Sequence, residues 1–320
     1  MPIVCAQKQA AQFQGEHALV TITAPTDEEP PDHAMVVLLD DLPLFTQNWH
    51  YSELRYPDLK HQLKATFTLR APAHKALQEK ILLPFGQVKG LHSIDAPGFS
   101  AQVKQELQRR MATPAPTLRE CCDAATQLLA QGDGALAAGN PTAALDTYAR
   151  AFKAIHILIE GRTRRILVDT FFHSTIPDGP YAGQTGITVR VTLRLRLVAR
   201  TMAAHLALGA WADAAFWGTR SIRSIQDAMG TDVEDLLSAF LGDADTGLIY
   251  VRTAVALWKM ECSGTAWTNE GEGEGYTRLG SAELWASGVR YLRQVDKEPV
   301  RRELEGYGLG KEILRLFSPA

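Results

Sequence analysis

The sequence predicts a small α+β domain over residues 1–112, a proline-rich linker at 113–117 and an all-α helical repeat domain over 118–320, mainly helical overall. Three observations carry this reading. The first segment holds short apolar runs rich in Val, Ile and Thr, separated by turn formers, the signature of strands. The closely spaced prolines of Thr113-Pro114-Ala115-Pro116-Thr117 cannot continue a helix and favour an extended spacer. After them the chain turns alanine-rich, with apolar residues at helical spacing and glycine-centred breaks.

Taken in order, strands are expected at Ala18–Thr23, Met35–Leu39, Thr66–Leu69 and Leu91–Ile94. Asp27-Glu28-Glu29-Pro30-Pro31 forms an acidic connection, and the segment from Pro43 to Lys64, with Trp49, Tyr51 and Tyr56, reads as an irregular structured loop. Lys75–Phe85 places Leu77, Ile81, Leu82 and Phe85 on one helical face, and a second helix spans Ser100–Met111. Alternating strands and helices fit a layered α+β unit such as half of a split βαβ arrangement.

Beyond the linker, Leu118–Ile159 reads as a helical hairpin broken at Gly139-Asn140-Pro141, where Gly stops one helix and Pro suits the first turn of the next. A second hairpin straddles Leu208-Gly209-Ala210, and a third pairs Asp245–Met260 with Ser281–Val295. Two long loops are expected: 173–188, which holds Pro177, Gly179, Pro180, Gly183 and Gly186, and the glycine-rich 262–280. A last helix, Gly310–Phe317, puts Ile313, Leu314 and Phe317 on one face, which either caps the last repeat, the default for a solenoid end, or docks a partner.

The first hairpin resembles a tetratricopeptide repeat. With the register started at Ala125, the characteristic places hold Leu128, Gly132, Gly139, Ala144, Tyr148 and Ala151. A second register from Leu195 gives Val198, Gly209, Ala214 and Ser221, but Met202 and Gly218 depart from the pattern. Tyr250, Ala254 and Trp258 resemble the first helix of a third. The segments AFKAIHILIEGRTRR, GPYAGQTG, LRLRLVAR and FWGTRSI, with LLPFGQVKGLHSID before them, are similar to filamentous-fungal proteins carrying degenerate repeats of this type. Those families supply no activity to transfer. In tetratricopeptide arrays the first helices line a groove that accepts a peptide, so a scaffold or adaptor binding a protein or peptide partner is expected.

In the best-understood tetratricopeptide grooves a Lys and an Asn clamp a C-terminal carboxylate; the matching places here hold Leu129 and Asp133, so that mode is not expected. The groove charges expected instead are Arg196 and Arg200, with Thr126, Asp133, Ala203 and Leu206 beside them. On the same helix Leu193, Leu197 and Ala204 form one apolar stripe, and Leu195, Val198 and Met202 another on the far side. Arg162, Arg164, Arg165, Arg190, Arg194, Arg220 and Arg223 form a basic surface. From Glu160 to Ile225 there are nine Arg, no Lys and four acids, a balance of +5, against −6 for Gln226 to Ala320. That segment either binds nucleic acid or a phosphoryl ligand, through bidentate guanidinium contacts, or pairs with the acidic end.

The net charge of −3 gives no global field to hold the protein on nucleic acid or an anionic membrane. No GxSxG, HExxH or P-loop lysine occurs, and His156, His173 and His205 read as packed or surface histidines. The glutamates of Asn269–Tyr276 would repel phosphate from that glycine-rich loop. Cys121 and Cys122, adjacent on a helix, suit one metal ion poorly, so neither metal nor cofactor is expected. No catalytic residue is assigned, although an enzyme with a site between the domains stays open as an alternative. The chain lacks a secretory-type start and any transmembrane stretch, so a cytoplasmic or nuclear address and no membrane partner are expected.

Overall fold

The computed structural model describes residues 12–23, 33–55, 63–69, 71–167, 169–228, 243–265 and 280–309. The chain divides into two compact units, Met1–Pro116 and Thr117–Ala320. Among the described residues the protein is mainly helical, with a small sheet in the first unit and helices after it.

In the first unit, strands β1 (His17–Thr23), β2 (His33–Leu38), β3 (Lys64–Thr68) and β4 (Ser93–Asp95) form one sheet in the order β2-β1-β3-β4. The first two junctions are antiparallel, whereas β3 and β4 run parallel as direct neighbours, so the βαβ unit is not split. Helix α1 (Leu42–Arg55) occupies the segment expected to be irregular. Leu42, Thr46 and Trp49 are buried along one face, a helical spacing hidden by the threonine, and Tyr51 is buried as well. The Thr46 hydroxyl donates to the Leu42 carbonyl at 3.0 Å and accepts from Gln87 Nε2 at 2.6 Å, which satisfies a polar group inside the core.

Helix α2 (Lys75–Leu82) passes into a 3-10 turn at Leu83–Gln87, because Pro84 has no N–H to extend the helical ladder. Phe85 is fully buried there and meets Phe67, Trp49 and Phe45, with ring centroids 4.3, 6.1 and 6.2 Å away. Helix α3 (Ala101–Ala112) closes the layer through buried Val103 and Leu107.

The second unit opens on α4 (Leu118–Ala137), started by a capping box between Thr117 and Glu120. The expected break follows: Gly139 has φ +76°, and the Gly139 and Asn140 amides donate to Leu136 and Ala135. Asn140 then caps α5 (Pro141–Ala154). Gly132 lies under the Tyr148 ring, where a Cβ would come within 2.3 Å of Cε1, so the small residue sets how closely the helices approach.

Here the all-α expectation fails, since Ile157–Glu160 (β5) and Thr163–Ile166 (β6) form an antiparallel hairpin. Its two-residue loop is Gly161-Arg162, with Gly161 at φ +56°, the positive-φ position that two-residue hairpin loops reserve for glycine. The loop expected at 173–188 holds a short 3-10 turn, Gly179–Tyr181, and a bridge between Thr175 and Thr185, and helix already begins at Gly186.

Helix α6 (Gly186–Ala207) is buried on both sides as its two stripes required: Leu193, Leu197 and Ala204 on one, Leu195, Val198 and Met202 on the other. It packs against α4, α5, α7 (Trp211–Ala228) and α8 (Asp243–Cys262). Gly209, at φ +69°, closes α6 with the same bond pattern as Gly139. Helix α9 (Ser281–Tyr291) packs on α8 and ends four residues before the expected Val295, continuing as a 3-10 turn, Leu292–Gln294. Helix α10 (Lys297–Gly306) was not expected. The predicted helix at Gly310–Phe317, the Asp27–Pro31 connection and the Asn269–Tyr276 loop lie outside the described residues.

Candidate functional site

Helix α6 carries arginines on several faces, and its packing decides what each can do. Arg190, expected on a basic surface, is only 2% exposed. It donates to the Ile155, His156 and Leu167 carbonyls at 2.9, 3.1 and 2.8 Å and lies over the Phe172 ring at 4.3 Å. Its charge ties the β5–β6 hairpin to α6 instead of facing a ligand. Arg196 is exposed and pairs with Asp245 at 3.2 Å. Arg200, one turn on, pairs with Asp133 of α4 at 3.3 Å. The Tyr148 hydroxyl donates to the same carboxylate at 2.8 Å, and burial followed by that bond pushes the phenol upward.

Arg200 and Asp133 stand on the wall of a cavity of about 910 Å³. Leu136, Ala203, Leu206 and Leu208 supply its apolar lining, and Trp211, Arg252, Lys259, Glu303 and Tyr307 close the remainder. Thus Asp133, Arg200, Ala203 and Leu206, four of the six expected groove residues, come together. Thr126 and Arg196 are not among the lining residues; the Thr126 hydroxyl instead bonds the Tyr181 hydroxyl at 2.7 Å and the Cys122 carbonyl. Sequence reasoning missed the contribution of α8 and α10. Its signal was slight: an aromatic-lysine step, Trp258-Lys259, and a short charged helix.

The lining cations are not equivalent. Arg252 is held by both oxygens of Glu303 at 2.7 Å, Arg200 by Asp133, and Arg302 by Glu298 at 3.3 Å. Lys259 sits 5.6 and 5.2 Å from the Trp211 and Trp258 ring centroids, and among the described residues no carboxylate pairs with it. Aromatic faces favour a cation without neutralising it, so Lys259 is the charge this cavity can offer an anion.

In the basic region, Arg162 is exposed, pairs with Asp213 at 3.1 Å and lies 5.3 Å from the Phe216 centroid. Arg220 is exposed, 6.0 Å from the same centroid. Arg165 is exposed, and Arg164, Arg194 and Arg223 are half-buried.

The fold also makes one pairing that the spacing did not reveal. Cys121 Sγ lies 4.0 Å from His156 Nε2, and His156 is packed between Phe171 and Phe172 at a positive φ of 55°. Burial, then the Glu120 charge, pushes the Cys121 thiol up to about 11, and burial pushes Cys122 to about 12. A nucleophilic cysteine needs its thiolate near neutral pH, so this pair is not an activated nucleophile. Iodoacetamide at mildly alkaline pH is therefore expected to modify exposed Cys262 and to leave Cys121 and Cys122 unmodified until the protein unfolds, as peptide mass mapping would show. Rapid labelling of Cys121 in the folded protein would mark it as an activated nucleophile.

Among the described residues no group of three His, Cys, Asp or Glu is placed to hold a metal, and no helix is long and apolar enough to cross a membrane. No protein-family description, curated protein or solved structure matches the chain.

Proposed function

We propose that the second unit is a non-catalytic interaction module of tetratricopeptide-like helical hairpins, and that its cavity takes a peptide segment presenting a carboxylate beside a large apolar side chain. The observation that carries this is the composition of the cavity: an apolar lining from Leu136, Ala203, Leu206 and Leu208, with Lys259 as the one lining cation lacking a carboxylate among the described residues. An apolar recess with a few convergent polar groups is the usual form of a binding site. A lysine held against two indoles gives such a recess one directed charge.

Arg200, although central, is a poor probe, because reversing its charge would set two carboxylates together at Asp133. Lys259→Glu reverses the offered charge without breaking a described ion pair. Peptides selected from a random display library on the wild-type protein are expected to carry an Asp, Glu or free C-terminus next to a large apolar residue. They should bind K259E about ten-fold more weakly, the loss of one charge-assisted hydrogen bond, with an unchanged circular dichroism spectrum. Selection of no such peptides, or equal binding by K259E, would rule this site out.

A further inference from the structure

The β5–β6 hairpin is fastened to two helices, and beside it stand three arginines without an acid among the described residues. Arg190 ties it to α6 by three carbonyl bonds, and Arg162 at its turn ties it to α7 through Asp213 and the Phe216 ring. Within that frame Arg164 stands opposite Ile159 on β6, Arg194 lies one helical turn beyond Arg190, and Arg220 lies one turn beyond Phe216. Nη1 of Arg164 and Nε of Arg194 are out of solvent and, among the described residues, donate to no protein group. Among the described residues none of Arg164, Arg194 and Arg220 has a carboxylate partner.

Such an arrangement is costly by itself. Buried donors without acceptors are rare in folded proteins, and like charges withdrawn from water repel each other through a medium that screens poorly. A lysine could relieve the strain by losing its proton, but a guanidinium holds its proton too tightly. Burial, followed by the Arg194 and Arg220 charges, pushes Arg164 down to about 9, which still leaves it charged at neutral pH. Burial, then the Arg220 and Arg190 charges, also lowers Arg194. An anion would offset these charges, and Arg220, exposed to solvent, marks the side from which one would enter.

We infer that Arg164, Arg194 and Arg220 form a binding site for a phosphoryl dianion, with Arg164 Nη1 and Arg194 Nε as inner donors and Arg220 closing the solvent side. A carboxylate would bring one charge and two oxygens to three guanidiniums. A phosphoryl group brings close to two charges and at least three acceptor oxygens, which suits donors converging from a strand and two helices. The site is separate from the Lys259 cavity, since none of the three arginines lines it, and either can fail without the other.

Isothermal titration of the 320-residue chain with inorganic phosphate, against sodium chloride of matched ionic strength, tests the assignment. Titration with O-phosphoserine distinguishes a free ion from an esterified phosphoryl group. Saturable phosphate binding is expected for the wild type and for Arg165→Gln, whose side chain lies on the opposite face of β6 and is exposed. Arg194→Gln and Arg220→Gln should each weaken binding at least about ten-fold, the loss of one charge-assisted hydrogen bond. Arg220 is exposed, so R220Q tests the site even if an inner variant fails to fold. Absence of phosphate-specific heat in the wild type, or unchanged affinity in R220Q and R194Q, overturns the proposal.

Discussion

Replacing Glu303 with alanine is expected to cost the second unit about 3 kcal/mol of folding stability, the lower end of what breaking a buried ion pair removes. The reason lies with the partner left behind. The Arg252 side chain is 4% exposed, held by both Glu303 oxygens at 2.7 Å and by the Ala199 carbonyl at 2.5 Å. Truncating Glu303 leaves that guanidinium inside the protein with one acceptor, while Glu303, a quarter exposed, leaves water some access. Tyr307 also loses its acceptor, since its hydroxyl donates to Glu303 at 2.8 Å.

Desolvation alone would push the Glu303 carboxyl up, but the Arg252 charge, its hydrogen bonds and that of Tyr307 outweigh it and hold the group below the ordinary carboxylate range. The folded value is thus lower than the unfolded one. The stabilisation is whole above the ordinary range and is lost as pH falls through the lowered value. Urea unfolding followed by circular dichroism at neutral pH gives the magnitude, and E303A should show a flatter acid limb than the wild type. Converting both residues to apolar ones, Arg252→Met with Glu303→Leu, should recover most of the loss. A loss below about 1 kcal/mol, the range of exposed pairs such as Arg301 with Glu305, would mean that water reaches Arg252.

Much of the second unit was legible because its helix ends are written in local chemistry. Gly139-Asn140-Pro141 and Leu208-Gly209-Ala210 each mark a turn whose bonds involve only neighbouring residues. The stripes of α6 were legible for a similar reason, since both apolar rows keep helical spacing. Helix α1 was not, because Thr46 fills a core position and breaks the apolar row; its partner Gln87 is 41 residues away. The β5–β6 hairpin was missed because its strands are four residues each and Ile157-Leu158-Ile159 continues the apolar texture of the helix before it. Helix α10 offered only Val300 and Leu304 as buried apolar positions among charged neighbours.

The candidate site divides along the same line. Asp133, Arg200, Ala203 and Leu206 were foreseen because α4 and α6 were recognised as helices, and their faces follow from period alone. Lys259 and Glu303 needed the packing of α8 and α10, contacts set by tertiary structure. Burial of Arg190 depended on the hairpin, whose carbonyls it binds, so an arginine that looks like surface charge in sequence becomes a structural tie.

Replacing Gly288 with alanine should lower stability by about 2 kcal/mol, although the same change in an exposed helix interior is favourable by about 1 kcal/mol. Helices α8 and α9 cross here with backbone against backbone. A Cβ on Gly288 would stand 2.9 Å from the Val251 amide nitrogen and 3.0 Å from the Gly247 carbonyl oxygen, with Val251 Cγ2 at 2.6 Å. Gly247 is closed in from its own side by Leu292 at 2.6 Å and the Gly288 carbonyl at 3.2 Å. A flexible side chain could turn away, but main-chain atoms yield only if the helices separate, and overpacking of this kind costs about 1–3 kcal/mol. Gly134 is the internal control, because it is exposed on α4 with nothing within 4 Å of its Cβ position. There Gly→Ala should raise stability by about 0.5–1 kcal/mol. Chemical denaturation of the two variants should therefore move their midpoints in opposite directions. Equal shifts would mean that helix propensity, rather than the close crossing of α8 and α9, governs both positions.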